Sequence, residues 1–524
     1  MYIRYTMERL GRNFRMHSPS GRLALLLIGA TLLCASALAQ PGTGATIVQL
    51  PSAQAIINRD TNPFSGSIPQ GTATAETIEI SIEDALDRGL KYNLGAYLSN
   101  QTTAEARAAQ IRSLSNLLPN ISGSFGEELQ RINLKAFGFK FAGFPSSVGP
   151  FGLTATSASG TWDLLNLASI DKYRASGETV KAAEFSYLDA RDTVVLTVGA
   201  NYLLVIAQES RVEATRAELE TAQALYQLAS DQEGAGLVPN IDSLRARVQL
   251  QAQQEALITA QNDLEKQLIA LARVIGLPIH QKYKLVNRVP YHPVPESLLG
   301  GATELALQTR PDYKAAQSQL RAAQLRREAA WKGRLPSVAA SGTYGVLGYT
   351  PNAMAPQYTA AATLNIPIFQ GGKVRADVQE TEAILKERQA QVDNLKARIE
   401  QEVEVSLLDL KAASQQVEVA RIGLDLAQQV VAQSQDRFAA GVTNNVEVIQ
   451  AQQSLAAAND QYIASLYGHN IAKVLLARAV GNTEQVVKQY LAGDSSPLGQ
   501  PTVVPTTPPA DPNSPNTNVP PQPK

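Results

Sequence analysis

Gly236 to Gln253 reads GLVPNIDSLRARVQLQAQ, and Gly441 to Ala458 reads GVTNNVEVIQAQQSLAAA, 205 residues further on. The same shift lays LARVIG at Leu271 to Gly276 on LARAVG at Leu476 to Gly481 without a gap, and ten of the 41 aligned positions are identical. The chain is therefore an internal duplication, and the repeat decides the fold before any single residue does. Toward the start of each half the register becomes 217, where Leu118-Pro119-Asn120-Ile121 falls on Leu335-Pro336-Ser337-Val338. The first half carries 12 extra residues between Pro119 and Leu164, compared with Pro336 to Phe369.

Each half reads as helix, strand pair, long helix, Gly turn, helix. Proline is absent for 88 residues after Pro150, 38 after Pro239 and 129 after Pro367, and these spans are rich in Ala, Gln, Glu, Leu and Arg. Such composition without a breaker is helical. In the second half Ile399, Val403, Ser406, Leu410, Ala413, Val417, Ala420, Leu424 and Ala427 alternate 4 and 3 spacings, which makes one coiled-coil seam. Val405, Leu408, Ala412, Gln415, Val419, Ile422 and Leu426 form a second seam of the same period. Two seams want two neighbours, as in a closed cylinder of helices; a solvated antiparallel bundle would need only one. At 1.5 Å per residue, the run from about Leu164 to Ser230 is on the order of 100 Å long.

The strand pairs show period 2. Tyr358, Ala360, Ala362, Leu364 and Ile366 alternate with Gln357, Thr359, Ala361, Thr363 and Asn365, and Val338, Ala340, Gly342, Tyr344 and Val346 do likewise before a turn at Pro351-Asn352. One apolar and one polar face fits a barrel wall. Two hairpins give four strands, whereas membrane barrels start at about eight, so a barrel requires several copies.

Composition narrows the class. Among 524 residues, 46 basic side chains nearly balance 47 acidic ones, which excludes a nucleic-acid binder resting on bulk positive charge. One Cys and four scattered His (His17, His280, His292, His469) supply no metal-ligand spacing and no disulfide, so neither a metal nor a cofactor is expected. No Ser/His/Asp or Cys/His set appears, and Gly371-Gly372 lacks the rest of a phosphate-binding loop, so no enzyme is expected. Arg4, Arg9, Arg12, Arg15 and Arg22 precede the apolar run Leu23 to Leu33 and the small-x-small pattern Ala37-Leu38-Ala39, a secretory signal cleaved before Gln40. Leu33 beside Cys34 argues against a lipoprotein anchor. The most apolar later segment, Val194 to Ala207, has 14 residues with Asn201 inside, short of the roughly 20 of a spanning helix. A chain that enters a membrane under these constraints does so as a closed β-barrel.

With these residues assembled, the chain resembles the TolC family of bacterial outer-membrane efflux channels over roughly Ile78 to Val487. The resemblance rests on Leu118-Pro119 and Leu335-Pro336 before strands, IPIFQGGKVRADV at Ile366 to Val378, the turns at Gly236 and Gly441, and the closing LARAVG. It implies a mainly α fold with a small β part. Each chain of a homotrimer would give four strands to a transmembrane β-barrel and its long helices to a periplasmic coiled-coil barrel with a mixed belt. It implies an outer-membrane location with a long periplasmic extension, contact with outer-membrane lipid, and passive export to the exterior. A periplasmic adaptor (membrane fusion protein) and an inner-membrane pump of RND or ABC type would dock below, in efflux or type I secretion. The expected organisation is a signal peptide at 1–39, an extended segment at 40–77, repeats at 78–286 and 287–487, and a Pro-rich tail at 488–524 that holds ten of the 28 prolines. A periplasmic coiled-coil adaptor without channel activity is the competing reading; it would show one hairpin and small β-domains rather than a duplicated plan.

Site residues follow from the same resemblance. AGLVPN at Ala235 to Asn240 and AGVTNN at Ala440 to Asn445 are helix-ending Gly turns, for which a tolerance of positive φ suffices as explanation. The family reading makes Gly236, Leu237, Gly441 and Val442 the periplasmic tips where the adaptor packs, although members often have Val where Ala235 and Ala440 stand. Asp242 and Glu447, equivalent under the shift, suit a helix's first turn; the family reading adds an acidic gate ring that favours cations. Gln450 stands where relatives carry a second acid, and Phe438 and Thr443 offer no matching hydroxyl-to-acid or guanidinium link. In the extra residues of the first hairpin, Phe137, Phe139, Phe141 and Phe144 lie between and beside Lys135 and Lys140, an aromatic alternation that fits the barrel's outer rim or a self-packed loop. Trp162 fits an interfacial belt or a core, and Arg273 and Arg478 read as ion-pair formers in the belt.

Overall fold

The computed structural model describes residues 62–138, 145–286, 291, 301–349, 353–481, 483, 484 and 487. The expected signal sequence, residues 40–61, the Pro351-Asn352 turn, Phe139, Phe141, Phe144 and the tail from 488 lie outside the described residues, as does the side chain of Phe137.

The duplication is visible element by element. The first half comprises α1 (Ile82–Tyr92), α2 (Leu94–Ser115), β2 (Asn120–Asn133), β3 (Ser147–Leu165), α3 (Leu167–Gly234) and α4 (Asn240–Ile275). The second comprises α5 (Ala302–Thr309), α6 (Pro311–Lys332), β5 (Ser337–Gly348), β6 (Met354–Asn365), α7 (Lys373–Ala439) and α8 (Asn445–Val480). α2 and α6 both have 22 residues, α3 and α7 have 68 and 67, and α4 and α8 both have 36. α3 packs on α2 and α6 toward the sheet and on α4 and α8 toward the far end, while α7 packs on α6 and α8.

Two features differ from the sequence reading. The first helix of each half is broken into two. Asn93 is fully buried between α1 and α2, accepting from Gly95 N at 2.9 Å and donating to the Phe64 carbonyl at 2.7 Å. In the second half Pro311 supplies the break, because its ring removes the N–H and bars the residue before it from helix. The second feature is a short parallel pair, β1 (Ile78–Ile80) with β4 (Tyr283–Leu285), which ties the start of the first half to its end.

The two seams of α7 separate cleanly. Ile399, Val403, Leu410, Ala413, Val417 and Ala420 are buried within the chain, whereas Val405, Leu408, Val419, Ile422 and Leu426 are 46% to 70% exposed. Seam one is filled by the chain's own helices; seam two is bare. The main core lies at mid-length of α3, where Val194, Val195, Val198, Tyr202 and Val205 meet Ile82 and Leu86 of α1, Leu271 and Ile275 of α4, and Ile471 and Val474 of α8. This part of α3 contains an 18-residue window of mean hydropathy 1.3, apolar enough by length and composition to cross a membrane, which the 14-residue count missed. The window is 72% buried inside the fold, so its apolar surface forms the core.

Charged groups girdle that core. Arg310 is 3% exposed, its Nε and Nη2 bonded to Asp312 at 3.0 and 2.7 Å and its Nη1 to Glu402 at 2.7 Å and the Ala479 carbonyl at 3.2 Å. One planar guanidinium thereby joins the α5–α6 elbow, α7 and the end of α8. Burial alone would raise the Asp312 carboxyl, but the Arg310 hydrogen bonds and charge hold it below its ordinary range. Arg478 pairs with Asp189 as expected, but Arg273 makes no ion pair among the described residues; its carbonyl accepts from the Ser67 hydroxyl instead. Burial pushes the Asp192 carboxyl up to about 6, opposed by Arg478 and the Thr483 hydroxyl and reinforced by Asp189 and Glu484.

A carboxyl that titrates higher folded than unfolded contributes stability that is full below 3.8 and lost as pH rises through about 6. Asp192→Asn should therefore flatten the fall in thermal stability between about pH 4 and pH 6 and stabilise the chain at pH 7 by up to about 3 kcal/mol. Melting curves of detergent-solubilised protein across that range check this; parallel profiles for variant and wild type would contradict it.

Candidate functional site

The sheet runs in the order β2-β3-β5-β6, all antiparallel. Residues directly opposite in the ladder share a face, so the register sorts every side chain. Ile121–Gly160–Gly342–Ala360, Trp162–Ala340–Ala362, Ala158–Tyr344–Tyr358 and Phe125–Thr156–Val346 are rows of one face. Asn120–Thr161–Ser341–Ala361, Ser122–Ser159–Thr343–Thr359 and Ser124–Ser157–Gly345–Gln357 are rows of the other. The first face is apolar; the second is hydroxylated, with Ser122–Ser159 and Ser124–Ser157 Oγ pairs each at 2.9 Å. Ile121, Phe125, Leu129 and Tyr358 on the apolar face are 73% to 81% exposed.

β5 and β6 have 12 residues each, β2 has 14 and β3 has 19. β3 pairs with β5 only from Thr154 to Leu165; Ser147 to Leu153 pair with β2 alone. The extra residues of the first half thus lengthen its hairpin at the end remote from the helices. At the opposite end Trp162, on the apolar face and 44% exposed, donates from Nε1 to the Leu117 carbonyl at 3.0 Å. The indole therefore caps the junction between α2 and the sheet with its ring open to the surroundings, the amphipathic geometry of an interfacial aromatic.

The far ends of the long helices close with one motif used twice. Ala235 N donates to Asp231 O at 3.0 Å, Gly236 N to Glu233 O at 2.9 Å and Leu237 N to Gln232 O at 2.9 Å. The equivalents Ala440 to Asp436, Gly441 to Phe438 and Val442 to Arg437 measure 3.0, 3.0 and 2.9 Å. Gly236 and Gly441 have φ of 72° and 70°, the left-handed region this helix end requires. A Cβ at either would meet no atom within 4 Å, so backbone conformation alone selects glycine. Beyond them Leu237 and Val442 are 74% and 69% exposed.

The two turns are held side by side. Leu225 and Ala229 of α3, Ala246 of α4, Phe438 of α7 and Val448 of α8 form a small core of their own. Asn445, fully buried, donates from Nδ2 to the Asp242 carbonyl at 2.8 Å and so bonds one repeat to the other. Asn445 escaped the sequence reading because an Asn pair at a helix start signals capping, and Asn444 does cap, accepting from Val446 N at 3.1 Å.

Asp242 and Glu447, equivalent in sequence, have unequal surroundings. Asp242 is 7% exposed, with Oδ1 3.4 Å from Arg245 Nη1. The Glu447 side chain is 40% exposed, accepts from the Thr443 hydroxyl and lies 3.5 Å from Arg437 Nε. The expectation that Thr443 offers no matching hydroxyl-to-acid link is therefore corrected: the Thr443 hydroxyl donates to Glu447 four residues on, and Arg437 of α7 brings a guanidinium to the same carboxylate across the Gly441 turn. Among the described residues no group of three His, Cys, Asp or Glu is placed to hold a metal.

Comparison with known proteins agrees with this architecture. The family model for "Outer membrane efflux protein" matches residues 94–277 and 302–482, one match per repeat. The pyoverdine export outer membrane protein OpmQ of Pseudomonas aeruginosa is 26% identical over 422 residues, covering 78% of this chain and 87% of that protein. The outer membrane protein TolC of Escherichia coli K12 is 22% identical over 358 residues, covering 64% of this chain and 71% of that one. Among solved structures, the Campylobacter jejuni CmeC outer membrane channel superimposes with a TM-score of 0.68 at 18% identity over 80% of this chain and 92% of its own. With both repeats matched over most of their length, the chain belongs to the outer membrane efflux protein family.

Proposed function

We propose that three copies of this chain form a passive outer-membrane duct, fed from below by a periplasmic adaptor and an inner-membrane pump. The observation that carries the reading is a sheet with one lipid-compatible face, one hydroxylated face and two open edges, at the end of a helical body whose second seam is bare. Open edges are not tolerated in hydrocarbon, where each unpaired backbone group costs several kcal/mol, and four strands are too few to close alone. Neighbouring copies supply strands to β2 and β6 and helices to the bare seam of α7. The hydroxylated face then lines the pore. Proteins of this family are channels rather than enzymes, and transport energy comes from the pump, of RND or ABC type.

Truncation in the two seams separates folding from assembly. Ile399→Ala, in the filled seam, should cost the fold about 2–5 kcal/mol. Leu408→Ser, 66% exposed in the single chain, should leave folding intact while the heat-modifiable trimer dissociates at lower temperature. Electrophoresis of unheated and heated membranes reads both, and a soluble periplasmic monomer in the wild type would refute the reading.

The exposed Leu237 and Val442 support a docking role for the tips, with Gly236 and Gly441 shaping the turns. Leu237→Asp with Val442→Asp should abolish export while leaving trimer in the outer membrane. Gly441→Asn, which tolerates positive φ, should retain export. Full export by the double aspartate variant would reduce the turns to helix ends.

The half-exposed Glu447 supports a periplasmic selectivity ring whose charge Arg437 offsets, with Asp242 buried behind it. Glu447→Gln should move the reversal potential in planar bilayers toward non-selectivity, and Arg437→Gln should strengthen cation preference. Both shifts should shrink as salt screens over roughly 10 Å at 0.1 M. Unchanged potentials in both variants would remove Glu447 from the constriction.

A further inference from the structure

The passage from β6 to α7 leaves an unusual surface bare. Ile366, Ile368 and Phe369 are 55%, 95% and 87% exposed, and Ile366 and Ile368 continue the even-numbered positions that form the apolar face of β6. β6 has ended at Asn365, and Pro367 lies between them. Beside them a crevice of about 390 Å³ is lined by Arg334, Ile368, Phe369, Gly372 and Arg375 among others. Arg334 lies with Cζ 4.5 Å over the ring of Trp331, itself 41% exposed. Apolar side chains and an aromatic are thus open to the surroundings within a few residues of Arg334, Lys373 and Arg375.

Of these three cations, Arg334 donates from Nε to the Trp331 carbonyl at 3.2 Å. None forms an ion pair among the described residues, and the first turn of α7 contains no acid. Cations in a first turn oppose the helix dipole, so α7 gains nothing from Lys373 and Arg375. The matching junction of the first repeat is different. Leu164, Leu165 and Leu167 are again exposed, but there the buried Asp171 takes up Arg174 of α3 and Lys332 of α6.

We propose that the β6–α7 junction binds an anionic glycerophospholipid of the inner leaflet, a reading that rests on outer-membrane residence of the sheet. The acyl chain lies along Ile366, Ile368 and Phe369, and the phosphodiester meets Arg334 and Arg375, which line the crevice, with Lys373 on the adjoining surface. The occupant follows from position and charge. The junction is where lipid-facing strand gives way to periplasmic helix, the depth of phosphate headgroups, and three unpaired cations complement an anion as no apolar neighbour does. A second copy of this chain lying over the same loop is the competing occupant.

Native mass spectrometry of the full chain, extracted in detergent and exchanged against phosphatidylglycerol or phosphatidylcholine micelles, counts retained lipid. Wild type should retain phosphatidylglycerol over phosphatidylcholine. Arg334→Gln with Lys373→Gln and Arg375→Gln should cut that retention at least about tenfold at unchanged trimer content. Arg334→Lys with Arg375→Lys should keep it, and Phe369→Ser should weaken retention of both lipids. Equal retention of the two lipids by wild type, or wild-type retention by the triple variant, would overturn the proposal. Dissociation of the triple variant into single chains would overturn it too, by giving the patch to a second copy. Membrane fractionation of the same cells reads outer-membrane residence separately, so a failure of that reading is recognised as such.

Discussion

Backbone hydrogen bonding is the constraint on which the molecule's organisation depends. A strand in hydrocarbon must pair every N–H and C=O, and β2 and β6 each present one unpaired edge. The four strands of this chain satisfy their inner edges and leave the outer edges of β2 and β6 unpaired. The helical body is built for the same circumstance: α7 buries Ile399, Val403 and Leu410 within its own chain and keeps Val405, Leu408 and Val419 bare. Sheet and helices each stop at the boundary of the chain with unfinished surfaces of the kind that another copy completes.

The mid-length belt supplies the rigidity that the ends lack. A helix of 68 residues has little intrinsic resistance to bending, but α3 is clamped near its centre by α1, α4 and α8 around Tyr202 and Val198. Arg310 fastens the α5–α6 elbow to α7 and α8 from the other side. Below the belt the helices are held mainly by small side chains, with a further cluster about Phe438 at the tips.

Much of this was legible in the sequence because it depends on period. The 3.5-residue seams, the period-2 strands and the left-handed glycines are local patterns, and the duplicated turns confirm one another. What escaped depends on partners far along the chain. The break at Asn93 is set by the Phe64 carbonyl, and the three-residue strands β1 and β4 gain meaning only by pairing across 205 positions. Asp242 and Glu447 look alike because the shift aligns them, but Arg437 and Thr443 reach only one. Arg273 and Arg478 were equally matched, and among the described residues only Arg478 found an acid.

The unequal tips bear on symmetry. A duplicated chain in a threefold assembly presents six hairpin ends of nearly identical backbone, since the turns at Gly236 and Gly441 share their hydrogen bonds to within about 0.1 Å. Their side chains do not follow. One end carries Leu237 with a buried Asp242, and the other carries Val442 with a half-exposed Glu447 bonded to Thr443. A partner arranged as six equal subunits would find the right shape at every end and the right chemistry at alternate ones. In the proposed trimer the duplication would leave the channel sixfold in outline and threefold in recognition, so such a partner would bind in two alternating modes.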